Sequence, residues 1–295
     1  MPELRTAFAG VSNVLVTDGT SAVLVDGFFS RPSLVRMATR VAPDRGRIDD
    51  ALRRLGVTEL DAVLVAHSHV DHVLDAPVVA ELTGATLAGS PSTRQVQEGY
   101  GLADRPFEEL VPGKPVEFGA FTVTPIEAVH SDGDRVPGEI TEPVRLPARA
   151  KAFKTGRCYS FHLTHAAGSV LVHASANFVP GALARHSADV VYLGIGAAGK
   201  QTEQWRERYW RETVGALGPR KVRPIHWDAF WRPLSKPLKL LPKLFDEHGS
   251  DDGDLRAAGR GRRRRLRPPR ALESRVTQAQ SCPSSRSAAS SSDPA

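Results

Sequence analysis

Val63-Leu64-Val65-Ala66-His67-Ser68-His69-Val70-Asp71-His72 is the stretch whose reading decides the fold. An apolar run, read as a buried strand, stops on three histidines and an aspartate within six residues. Neutral imidazoles and carboxylates are the donors that zinc and similar divalent ions prefer. A strand end aims alternate side chains to one side, so His67 and His69 can grip one ion together. Asp71 and His72, just beyond in the turn, can face a second. The plainer reading is a solvated polar loop after a strand, which the density of donors disfavours.

The 295 residues, 41% hydrophobic, suffice for one large domain or two small ones. Cys158 and Cys282 are far apart in sequence and form no disulfide framework, which suits a reducing cytosol. Met1-Pro2-Glu3-Leu4-Arg5 carries no secretory pattern, and no apolar run approaches the roughly 20 residues of a membrane span. A cytoplasmic protein without a membrane role is expected. Of the net charge of +6, the stretch from Asp251 onward supplies +5, from ten arginines against five acids. The body is therefore close to neutral, and a nucleic-acid substrate is disfavoured.

Around the motif, Phe8–Thr17 and Ala22–Phe29 read as a hairpin about Asp18-Gly19-Thr20-Ser21. Asp26-Gly27 is read first as a turn, and second as a brace for the histidine loop. Asp44–Gly56 has helical spacing and a glycine stop. Leu60–Ala66 is a strand, Ala76–Thr83 a short helix, Ala85–Ala88 a strand and Pro91–Gly99 a helix, an α/β alternation. Val116–Val129 reads as paired strands ending on Val129-His130-Ser131-Asp132. Asp132–Gly156 has no periodicity, and its arginines and lysines suit either a cap that greets an anionic group or a solvated excursion. Cys158–Leu163 and Ser169–His173 read as a second hairpin, Asp189–Gly194 and Val222–Ile225 as strands, and Gln201–Leu217 as one helix in which Trp205 and Tyr209 pack together. The last strand runs into His226-Trp227-Asp228, where Asp228 either orients His226 or satisfies the turn.

His67-Ser68-His69-Val70-Asp71-His72 resembles the HxHxDH signature of the metallo-β-lactamase superfamily, and the resemblance extends from about Phe8 to about Leu241. It implies a four-layer αββα sandwich with metals at one edge. It also implies that His67, His69 and His130 hold one ion and that Asp71, His72 and His226 hold the other. Pro224-Ile225-His226-Trp227-Asp228-Ala229-Phe230 is similar to the last metal-binding segment of the lactonase-like hydrolases. The superfamily usually bridges its two ions with a further aspartate. The matching stretch, Val170-Leu171-Val172-His173-Ala174-Ser175-Ala176-Asn177, has none; Ser175 stands in its place. Two ions of unequal affinity are expected, with one ion alone, or help from His173 or Asn177, as the other readings.

The expectation is a metal-dependent hydrolase, with zinc or another divalent ion such as manganese, acting on a small-molecule ester, lactone or phosphodiester. Asp71 is the catalytic candidate, as a ligand that orients or deprotonates water. With no cysteine at the ligand positions, β-lactam hydrolysis is expected to be poor. The competing classes are a non-catalytic metal-binding or regulatory domain, a nucleic-acid protein using the arginine-rich tail, and a redox enzyme with an iron pair. The hydrolase domain is expected over residues 1–245. Residues 246–295, basic and Ser/Pro-rich, are expected to be an inert disordered tail, with a reading-frame change near residue 246 as one origin.

Overall fold

The computed structural model describes residues 3–242, so the tail expected at 246–295 lies outside the described residues. Two six-stranded mixed sheets pack face to face with helices on both outer sides, the four-layer αββα sandwich expected from the resemblance.

In chain order the first sheet holds β1 (Arg5–Phe8), β2 (Val14–Thr17), β3 (Ala22–Val25), β4 (Ala62–Leu64), β5 (Thr86–Gly89) and β6 (Phe107–Glu109). β1, β2 and β3 are antiparallel, and β3 to β6 run parallel. The second sheet holds β7 (Val116–Phe118), β8 (Phe121–Ala128), β9 (Cys158–His165), β10 (Gly168–His173), β11 (Val190–Gly194) and β12 (Lys221–Ile225). Here β7 to β10 are antiparallel and β10 to β12 parallel.

The central strands are apolar on both faces because both faces are buried. Val14, Val16, Val23, Val25 and Leu64 point between the sheets, against Phe121, Val123, Phe161, Leu163, Val170 and Val172. The alternate residues Leu15, Leu24, Val63 and Leu87 point outward, to the first helical layer. That layer comprises α1 (Leu34–Ala38), α2 (Arg45–Leu55), α3 (Val70–Val73), α4 (Ala76–Thr83) and α5 (Pro91–Gly99). On the other outer face Leu171, Val191 and Leu193 meet Tyr209, Val214 and Leu217 at and beyond α6 (Glu203–Trp210).

Local chemistry sets the helix ends. The Asp44 carboxylate accepts from the Arg47 N–H at the start of α2, and Gly56 closes it in the left-handed region at φ 69°. Ser90 caps α5, with Pro91 in its first turn. Three elements depart from the sequence-based expectation. The first hairpin gains β1, separated from β2 by a tight turn at residues 9–13. α1 has no buried residue, so no apolar period marks it. β6 is short and acidic, Phe107-Glu108-Glu109. The helix expected over Gln201–Leu217 also changes character: Arg211–Gly215 is π-helical, and the Thr213 hydroxyl donates to the Tyr209 carbonyl inside this turn.

The long loop fits neither of its two expected roles whole. Ile140, Val144, Ala148 and Phe153 are buried in the helical layer, and Val144 N–H donates to Gln95 O of α5 at 3.2 Å. Its middle is thus packed covering for the first layer, while Arg135, Arg145, Arg149, Lys151 and Lys154 are exposed.

Phe161 is fully enclosed between the sheets. Phe161→Ala is expected to cost about 3–5 kcal/mol in urea unfolding. A loss below about 1 kcal/mol would mean that the ring does not fill the inter-sheet core.

Candidate metal centre

The site forms where strands of both sheets end at one edge. β4 ends at Leu64, the chain bends at Ala66 just before His67, and His69 is the residue that precedes α3 as its N-cap. Asp71 and His72 therefore sit on a one-turn helix rather than in the open turn expected. His130 lies two residues past β8, and His226 directly follows β12.

All six donors expected from the sequence come together. Donor atoms of His67, His69 and His130 lie within 4.8 Å of one another, and so do those of Asp71, His72 and His226. The two groups adjoin, with the His67 and His72 ring centroids 3.8 Å apart. His67 and His72 are buried, and the other four are partly buried.

The outward-facing ring nitrogens explain the inward-facing ones. His72 Nδ1 lies 2.7 Å from Asp26 Oδ2. His69 Nε2 lies 3.2 Å from Asp134 Oδ1 and 3.0 Å from Thr155 Oγ1. His130 Nδ1 lies 2.8 Å from the Ser131 carbonyl. Carboxylates and carbonyls only accept, so each of these nitrogens carries the hydrogen in the neutral ring. The opposite nitrogens are then lone pairs, and they face one another across short gaps. His69 Nδ1 and His130 Nε2 are 3.2 Å apart. His72 Nε2 lies equally close to His226 Nε2, whose hydrogen no outer acceptor fixes at Nδ1. Asp71 Oδ2 adds an anion 3.4 Å from His226 Nε2. Both ring nitrogens of His67, and Nδ1 of His226, are buried without a hydrogen-bond partner among the described residues. Lone pairs converging on lone pairs, beside orphaned buried nitrogens, fit a divalent cation as the missing partner.

The electrostatics agree for His67, His130 and Asp71, and run the other way for His72. Burial, helped by the neighbouring imidazoles, pushes His67 well below the usual histidine range and keeps it neutral. Burial and His69 push His130 down to about 4. Burial acts to raise Asp71, but the imidazoles of His72, His226 and His69 outweigh it, so its carboxyl stays ionised well below its ordinary value. Burial acts to lower His72, yet the charges of Asp26 and Asp71 leave it raised.

Several supporting groups are faint in the sequence. Asp26, read first as a turn residue, is fully buried at φ 62°. Its Oδ1 accepts from the Ala66 N–H at 2.8 Å while Oδ2 takes His72 and the Ser12 hydroxyl, so the brace reading is the one the structure shows. Asp134 and Thr155 stand at the two ends of the long loop, and only nearness to His130 in the sequence hinted at the first. His173 is not aimed at the donors: Nδ1 meets Ser160 Oγ at 2.6 Å and Nε2 the Asn177 carbonyl at 2.6 Å. Asn177 instead donates to the His130 carbonyl at 2.8 Å and holds that loop. Among the described residues, no donor group includes a carboxylate other than Asp71.

A family model described as a beta-lactamase superfamily domain matches residues 21–227. A metal-dependent hydrolase of the UPF0173 group from Methylobacterium nodulans is 32% identical over 144 residues, 49% of this chain. The match spans about half of that relative, 55%. Another of that group, from Rubrobacter xylanophilus, is 26% identical over 81% of this chain and 85% of its own. Among solved structures, Igni18, a metallo hydrolase from Ignicoccus hospitalis, shares the fold at 17% identity and a TM-score of 0.53, covering 90% of this chain and 95% of its own.

Burial holds His173 neutral and pushes its pKa down to about 4. A histidine depressed in the fold contributes stability that is whole above its unfolded value of about 6.5 and is lost as pH falls towards 4. Between pH 7.5 and 5 the metal-free wild type is expected to lose about 2 kcal/mol more than His173→Gln in urea unfolding. Equal losses in the two proteins would remove His173 from the acid response.

Proposed function

Since this chain belongs to the beta-lactamase superfamily, we propose that it is a metal-dependent hydrolase of a small-molecule ester, lactone or phosphodiester. The observation that carries the reading is the pair of three-donor groups whose donor atoms converge at one sheet edge. His67, His69 and His130 would hold one ion, and Asp71, His72 and His226 the other, with zinc the first choice for such donors and manganese the alternative. What divalent ions supply at such a site is Lewis acidity and a water whose pKa falls from about 15.7 to about 7.

The protein's own residues do the rest. Asp26 and Asp134 fix the tautomers of His72 and His69 and raise their donor strength. Asp71, held ionised and well below the usual carboxylate range, is a weak base. Its role is therefore to orient the attacking water at the oxygen that does not face His226, rather than to keep the proton. Asn177 steadies the His130 loop, and the Gln201 side chain donates to Asp132 beside it at 3.1 Å, giving a polar rim for the substrate. Lactone and phosphodiester substrates are favoured by the likeness of Pro224–Phe230 to the lactonase-like segment. A reducing compartment, the cytoplasm, suits the free thiol of Cys158.

One observation favours a second reading. Ser175 stands where an anionic bridge is expected, and loss of that charge between two dications weakens the second ion most. A domain that binds metal without turnover is the outcome if this weakening goes far enough.

Elemental analysis of purified protein, paired with ester, lactone and phosphodiester substrates, tests both readings. Metal-replete wild type is expected to turn over at least one class, and His67→Ala to lose at least about 100-fold in kcat/KM. Metal bound without turnover supports the second reading, and no zinc, manganese or iron above trace removes both. Asp26→Ala is expected to weaken metal binding by about 10- to 100-fold in competition with a chromophoric chelator. Unchanged affinity would reduce Asp26 to a packing residue.

A further inference from the structure

His226 owes its orientation to residues far from it in the chain. Its backbone N–H donates to the Val11 carbonyl at 2.6 Å, and the Val11 N–H donates to Asp228 Oδ1 at 2.7 Å. The two bonds close a ring between the β1–β2 turn of one sheet and the end of β12 in the other. Arg31 holds the ring shut. Its Nη2 pairs with Asp228 Oδ2 and donates to the Ala229 carbonyl at 2.9 Å, while Nε donates to the Phe230 carbonyl at 3.2 Å. The Arg31 and Asp228 side chains are both fully enclosed.

This arrangement is costly. Val11, Arg31 and His226 adopt positive φ of 51°, 42° and 59°, a region that branched and bulky residues rarely enter. Gly10 is required beside them, since a Cβ there would lie 2.2 Å from Arg31 Nη1. On the other side of His226, a Cβ on Gly196 would lie 2.7 Å from its carbonyl oxygen and 2.9 Å from Nδ1. A buried ion pair often stabilises a fold no better than apolar residues of the same shape, and Arg31 Nη1 finds no hydrogen-bond partner among the described residues. Stability alone therefore does not account for the ring. What the ring delivers is His226 Nε2 beside His72 Nε2 and Asp71 Oδ2.

We propose that Asp228, clamped by Arg31, is a positioning residue that acts through the Val11 backbone to lock His226 into the Asp71–His72–His226 group. The proposal rests on the reading of that group as a cation site. Asp228 thus reaches His226 by a main-chain route, not by a bond to its ring.

The test measures zinc affinity of the full chain by chelator competition, the visible spectrum of the cobalt(II) form, and the thermal midpoint. Asp228→Asn is expected to weaken the ion that His226→Ala also loses, by about 10- to 100-fold, and to change the cobalt spectrum. Arg31→Met/Asp228→Leu removes the charge pair without stranding either partner. It is expected to recover thermal stability relative to Asp228→Asn while keeping the affinity loss. Leu52→Ala, in α2 and away from the donors, is expected to lower the midpoint and leave affinity and spectrum unchanged. The proposal is overturned if the double variant binds like wild type, or if affinity follows the thermal midpoint in Leu52→Ala too. Wild type that binds no divalent ion overturns the cation-site reading, and this proposal with it, before any substitution is made.

Discussion

Imidazole lone pairs that point at one another repel unless a positive charge lies between them. His69 faces His130 in this way across 3.2 Å, and His72 Nε2 lies as close to His226 Nε2. The outer nitrogens of three of these rings are already committed to Asp26, Asp134 and the Ser131 carbonyl. The chain has thus spent its hydrogen-bonding capacity turning basic atoms inward. The fold around them serves to hold that unfavourable geometry, and a divalent cation relieves it.

The sandwich supplies the rigidity. Strands apolar on both faces are held from two sides, by the opposite sheet and by a layer of helices. The donors start only where those strands stop, so each histidine is rooted in a segment that cannot shift without opening the core. The parallel strands β3 and β4 end side by side, which puts Asp26 within bonding distance of both the Ala66 backbone and His72. β12 ends across the gap in the other sheet, and the Val11–Asp228–Arg31 ring ties that end to the first sheet. The centre is therefore a property of the seam between the sheets.

Much of this was legible in the residues. α2, α4 and α5 follow from capping residues and glycine stops at Asp44, Gly56, Gly84 and Ser90, where local chemistry decides the outcome. Elements without an apolar period were missed: α1 buries nothing, and β6 is two-thirds acidic. The long loop is hard to read because its buried residues, Ile140, Val144, Ala148 and Phe153, are single apolar positions set among proline, glycine and charge. Asp26 reads first as a turn residue because an Asp-Gly pair has a sufficient local explanation. Its bond to His72 depends on a partner 46 positions away.

By itself, then, the sequence determined the donor types, the apolar strands that end in them and the α/β alternation, since each is written in composition and period over a few residues; the sandwich followed from the resemblance that the motif carries. The tertiary structure decided which nitrogen of each ring faces inward, which carboxylate stands behind it, and that His173 turns to Ser160 and Asn177 instead. Those choices are hydrogen bonds between atoms distant in the chain. Their geometry exists only once the two sheets have closed on each other, so no local pattern can encode it.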